Sequence, residues 1–296
     1  MRRGSSRYTV KDNYYDEDGF YEFRQSENNI NMLADFYNEC YDSKVMTLVS
    51  VFNQSLFIES FMGDKRFYYN SDEFMEGSQN TQVGIKSVQM NRKTFEFYKM
   101  DIEDGTEIDW ESIAYKDNVE IPVLLGTDYR DTYKSGDVIT GNLYGKEFEF
   151  AVAGFLKENS CIYYKTASEF CLDQYIVIPY LVKLWEVEPK NFEFEGILYF
   201  AMINCDLITD AGHEAFIEEV KRISDKTGFT EFSIIGIDEF MIKNIPLIVF
   251  VWENINIVYF GAACVYLLWL SILYKISYVI INDKEKKDMK FVSKKF

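Results

Sequence analysis

Histidine is nearly absent. His213 stands alone in 296 residues, which removes Ser-His-Asp, Cys-His and His-rich metal designs together. Cysteine is sparse and odd in number: Cys40, Cys161, Cys171, Cys205 and Cys264, with no C-x-x-C spacing. Zinc ribbons and thioredoxin-like motifs therefore have no support. A disulfide among the first four is open, and the spacing does not choose a pair. Positive charge is also short. Lys and Arg total 31 against 48 Asp and Glu, a net charge of −17. The folded part shows no basic stripe, so nucleic acid is not expected as a partner. No phosphate loop exists either. Gly136 and Gly141 have glycine spacing of that kind, but Asn142 stands where lysine is needed. The chain is expected to have no cofactor and no catalytic or metal site.

What is present is hydrophobic mass. Apolar residues make up 48% and aromatics 17%, enough for a sizeable core and too much for general disorder. Residues 257–274 carry no charge. Ile257, Gly261, Trp269 and Tyr274 mark this run, with Trp269 and Tyr274 of the type found at membrane interfaces. A spanning helix needs about 20 mostly apolar residues, and the run shows no polar face. The expectation is one transmembrane helix, within a membrane-proximal segment 245–281.

Direction follows from charge. Residues 275–296 hold seven lysines and three acids, and lysine-rich flanks stay in the cytoplasm. The basic tail, 282–296, is thus expected inside and the acidic domain, 26–244, outside. No apolar stretch follows Met1, as an export signal would require. The sequence is accordingly expected to be a fragment of a longer protein.

The outer part reads as an α+β domain of mixed strands, helices and hairpins. Residues 1–25 are polar and expected to be only partly ordered. Ser26 is expected to cap a helix over 27–41 with its hydroxyl. Strands are expected over 44–53, 56–61, 81–90, 120–125, 137–143, 148–156, 175–179, 196–204 and 229–235. A loop is expected over 64–79. Tyr144-Gly145-Lys146 reads as a hairpin turn. A helix starts at Thr209 or Asp210 and stops at Gly228, with Phe216, Ile217, Val220 and Ile223 inward. Asp101, Glu103, Asp104, Glu107 and Asp109 read as a solvated turn, since no calcium-loop pattern is present.

Three segments fall in a familiar order. They are Ile121-Pro122-Val123-Leu124-Leu125-Gly126, then Tyr133-Lys134-Ser135-Gly136-Asp137-Val138-Ile139, then residues 148–156 with Gly154-Phe155-Leu156. The pattern resembles the extracytoplasmic core domain of MacB/FtsX-type ABC transporter permeases. There, glycines at the places of Gly126, Gly136 and Gly154 allow tight turns, and the place of Asp137 bonds backbone at a strand start. The resemblance covers roughly residues 44–296, with a basic stretch after the membrane helix. It implies a cytoplasmic ABC ATPase as partner, a second permease chain in a dimer, and membrane lipid. It implies no ATP hydrolysis by the chain itself, and export or release of a peptide or lipid-linked substrate. The family has four transmembrane helices where one is readable here. The competing readings are a single-pass surface receptor or adhesion domain and, more remotely, an exported hydrolase.

Overall fold

The computed structural model describes residues 5–14, 16–69, 82–164, 167–185, 187–188, 191–237, 254–255, 259–262 and 264–275. The chain divides into two compact units, Met1–Lys243 and Asn244–Phe296. The larger unit is a mixed α+β domain, as the sequence implies.

In chain order its first elements are β1 (Ser6–Asp12), α1 (Glu17–Arg24), α2 (Glu27–Asp42), β2 (Thr47–Val49), β3 (Val51–Asn53) and β4 (Leu56–Glu59). Next come β5 (Gln82–Ile85), β6 (Ser87–Met90), α3 (Arg92–Phe97), β7 (Ile102–Gly105), β8 (Tyr115–Lys116) and β9 (Ile121–Leu125). The hairpin β10 (Val138–Leu143) and β11 (Lys146–Leu156) follows, then β12 (Cys161–Tyr164), β13 (Ala167–Cys171) and β14 (Ile176–Pro179). Last are β15 (Val187–Glu188), α4 (Phe192–Ile203), β16 (Asp206–Thr209), α5 (His213–Thr227) and β17 (Phe232–Ile237).

Two sheets carry the fold. The smaller is antiparallel, in the order β17-β1-β16-β2. The larger runs β3-β6-β14-β9-β11-β10-β4-β5, with β7 added on β11. Its strands are mixed, because β9 lies parallel to β11 and β6 parallel to β14. The two ends of this sheet are joined twice by very short connections: β3 to β4 through Gln54 and Ser55, and β5 to β6 through Lys86. Strands at opposite ends of a flat sheet cannot be linked so briefly, since a residue spans at most about 3.6 Å. The sheet therefore curls until its ends meet.

Lys86 fastens that closure. Its ammonium donates to the Arg66 carbonyl at 2.6 Å and to Gln174 Oε1 at 2.8 Å. Gln174 Nε2 in turn donates to Asp128 Oδ2 at 3.2 Å. Ser50, between β2 and β3, is where the chain leaves one sheet for the other. Its hydroxyl is fully buried and donates to the Met202 carbonyl at 2.8 Å.

Four expectations are corrected. Residues 196–203 are not a strand but part of α4, and Asn204 follows its end. Phe194, Leu198, Tyr199, Phe200, Met202 and Ile203 are all buried, so the helix is apolar on every side. A helix of that kind shows no 3.6-residue signature in sequence. Its start is fixed by polar residues: Asn191 Oδ1 accepts from the Phe194 N–H at 3.0 Å, and Glu195 Oε1 accepts from the Asn191 N–H at 3.1 Å. Residues 6–12 and 17–24 are ordered, because β1 is an inner strand between β16 and β17, and α1 follows it. Ser26 precedes α2 but makes no side-chain cap bond. Residues 102–105 form strand β7 rather than a turn, and Glu103 pairs with Arg130 at 2.7 Å.

Smaller differences have local causes. Thr209 ends β16, where its hydroxyl donates to the Val45 carbonyl at 2.7 Å, so α5 begins at His213. Ile217 is 42% exposed, while Phe216, Val220 and Ile223 face inward. Gly228 ends α5 in the left-handed region at φ +78°. The loop expected over 64–79 begins with a short 3₁₀ turn, Lys65–Phe67, and residues 70–79 lie outside the described residues. The segment 44–53 splits into β2 and β3, and 81–90 into β5 and β6.

Candidate functional site

The glycines singled out in the sequence lie at one end of the central strands of the curled sheet. Gly126 follows β9. Its N–H donates to the Tyr175 carbonyl at 2.9 Å, and a Cβ there would come within 2.1 Å of the Leu172 carbonyl and 2.2 Å of that of Asp173. Only a residue without a side chain lets the two backbones pass. Gly136 is required by conformation instead: φ is +92°, with open space where a Cβ would go. Asp137 Oδ2 accepts from the Lys134 N–H at 2.8 Å, which closes the turn before β10.

That turn is bound to β11. The Gly136 N–H donates to the Val152 carbonyl, and the Val152 N–H to the Asp137 carbonyl, both at 2.8 Å. Two residues on, Gly154 is opposite Leu124 of β9 and Gly105 of β7. A Cβ on Gly154 would meet the Asp104 carbonyl at 2.4 Å. The structure thus brings Gly136, Asp137 and Gly154 onto one strand end. Gly126 sits at the end of the neighbouring strand and contacts residues 172–173 instead. Gly105, at φ +100° and facing Ala153, belongs with them and was not singled out in the sequence. Its place in an acidic run hid it.

Three features lie beyond these turns. Cys161 and Cys171 are disulfide-bonded across the β12–β13 hairpin, while Cys40 and Cys205 are buried thiols. Burial pushes both thiols up from their ordinary range. The disulfide resolves a choice the spacing left open.

The second is a buried ion pair in the smaller sheet. Arg7 of β1 is 7% exposed, and its Nε is 2.9 Å from Asp206 Oδ2. Thr9 donates to the other oxygen at 2.6 Å. Burial alone would lower the Arg7 pKa, but the Asp206 carboxylate together with Tyr98 outweighs it and holds the guanidinium above its ordinary value. Sequence reading missed this pair because a polar β1 looked unfolded. The signal available was the alternation of Tyr8 and Val10. His213 donates or accepts at Tyr8 Oη, 2.9 Å away, and Tyr8 stacks on Phe216 at 3.9 Å. The lone histidine is thus an exposed residue at the start of α5, hydrogen-bonded to Tyr8.

The third is the smaller unit. Residues 259–262 and 264–275 are helical, and Ile257 lies outside the described residues. Trp269 is 56% exposed and Tyr274 72%. Gly261 has nothing within 4 Å of a built Cβ. Among the described residues no helix is long and apolar enough to cross a membrane. Residues 276–296, with six of the seven lysines, lie outside the described residues.

No family model and no curated protein matches the chain. Among solved structures, the extracellular domain of the noncanonic ABC-type transporter YknZ from Gram-positive bacteria is similar. The match covers 79% of this chain and 100% of that chain, at 10% identity and a TM-score of 0.35. A likeness of that size is a partial overlap of the two folds.

Proposed function

We propose that this chain is the outer-domain part of a MacB/FtsX-type ABC transporter permease subunit. In this reading residues 257–274 anchor it in the cell membrane, with the acidic domain outside and the lysines in the cytoplasm. The observation that carries the reading is an asymmetry. A domain stapled by Cys161–Cys171 precedes a charge-free run closed by lysines. Disulfides persist in oxidising compartments, and lysine flanks stay inside. The turns at Gly126, Gly136–Asp137 and Gly154 supply the motif order of the resemblance.

The chain would hydrolyse no ATP. A cytoplasmic ABC ATPase would close on ATP and shift the membrane helices. The outer domain, paired with that of a second permease chain, would move with them to export or release a peptide or lipid-linked substrate. The acidic surface would concentrate cationic peptides near it. Binding of such a peptide should weaken as salt rises; salt-independent affinity would contradict that part.

Purification of the full chain from its native membranes tests the proposal. A co-purifying ATPase whose ATP hydrolysis falls when the tail lysines are replaced by glutamine would support it. A chain that purifies without ATPase activity would instead favour a single-pass receptor or adhesion domain.

A further inference from the structure

Among the described residues of the larger unit Arg7 and Arg24 are buried, and their surroundings differ. Arg7 has a carboxylate, as described above. Arg24, the last residue of α1, is 8% exposed. Its Nε makes one long bond to the Phe20 carbonyl at 3.4 Å, and its Nη1 is buried with no hydrogen-bond partner. No acid among the described residues pairs with it. Its guanidinium carbon lies 4.3 Å from the Phe20 ring centre and 5.9 Å from that of Tyr21.

The stem is held in place from α4. A Cβ on Gly196 would fall 2.5 Å from Arg24 Cγ and 2.6 Å from Cδ, so the glycine leaves the room the arginine fills. An open depression borders this side chain, lined by Glu17, Asp18, Phe20, Tyr21, Arg24 and Ile197. A buried cation without a counter-charge is unfavourable, and a planar fork of donors suits a carboxylate.

We propose that the depression between α1 and α4 is a binding site for a small monocarboxylate with an aromatic or branched apolar body. The carboxylate meets the Arg24 fork, and the body lies against Phe20, Tyr21 and Ile197. Tyr21, at 53% exposure, lines the depression beside Arg24. The acids Glu17 and Asp18 in the lining weaken binding of any anion, and of a multiply charged one such as phosphate more than of a monocarboxylate. This site is independent of the transport reading.

Isothermal titration of the full chain in detergent with 3-phenylpropionate, 3-phenylpropanamide and inorganic phosphate is the test. Saturable binding of the carboxylate is expected, at least about tenfold tighter than the amide or phosphate. Arg24→Gln should remove that preference while leaving the circular dichroism spectrum unchanged. Equal binding of acid and amide, binding of phosphate as tight as the acid, or no binding of the acid would overturn the proposal. These comparisons are made on the unaltered chain, so they hold even if the Arg24 variant does not fold.

Discussion

Arg7 of β1 reaches Asp206 of β16 diagonally, with Thr9 directly opposite the carboxylate, and this pair ties the N-terminal strand into the domain. Arg7 is 7% exposed and Asp206 18%. Removing one member leaves the other charge buried alone, which costs about 3–5 kcal/mol. Asp206→Asn should therefore lower unfolding free energy by about 3 kcal/mol in urea titration. The double change Arg7→Met with Asp206→Leu should recover most of that loss. A double variant as unstable as the sum of the singles would contradict it.

The glycines separate two causes of the same residue choice. Gly126→Ala drives a Cβ into two carbonyl oxygens and should cost about 3 kcal/mol, through overpacking against backbone. Gly136→Ala meets open space and only an unfavourable φ, so about 1 kcal/mol is expected. Thermal melts of both variants check the order. Equal losses would show that the close approach at Gly126 relaxes freely.

A charge cluster joins α2 and α5 at the surface. Glu39 contacts Lys226 at 2.5 Å and Arg222 at 3.3 Å, and Glu219 contacts Arg222 at 2.8 Å. The hydrogen bond from Lys226 holds the Glu39 carboxyl below its usual range, and that from Arg222 does the same for Glu219. A depressed carboxylate contributes stability above its unfolded pKa, and that contribution is lost as pH falls through the folded value. Glu39→Gln should lower stability at pH 7 by at most ~1 kcal/mol, because the pairs are solvent-screened. The deficit should vanish below about pH 4. A deficit that persists at pH 3 would assign it to packing.

The Cys161–Cys171 staple closes a loop of sequence separation 10. Its removal by Cys161→Ser with Cys171→Ser should cost about 2–3 kcal/mol through the unfolded chain's regained freedom. Before reduction, a maleimide should spare the disulfide-bonded Cys161 and Cys171 and the buried Cys40 and Cys205. Labelling of Cys161 without reductant would contradict the pairing.

Much of the larger unit was legible in the sequence, and the parts that were not share a cause. Periodicity exposed α2, the β10–β11 hairpin and the stop of α5 at Gly228, because one face of each is apolar and the other wet. It failed for α4, whose faces are all buried, and for β1, whose Arg7 and Thr9 are satisfied by a residue some two hundred positions away. The turn glycines were readable as turns. Which one needs space and which needs a positive φ depends on strands far along the chain. Arg24 gave no signal at all, since an arginine at a helix end normally points to water.

The orientation of the larger unit bears on every part of the transporter reading. Protease added to intact native cells, followed by blotting with an antibody to residues 26–244, measures it directly. The account predicts that the domain is digested from outside while an epitope in the lysine-rich tail survives. A domain that resists until the cells are permeabilised would contradict the account and the transporter reading with it.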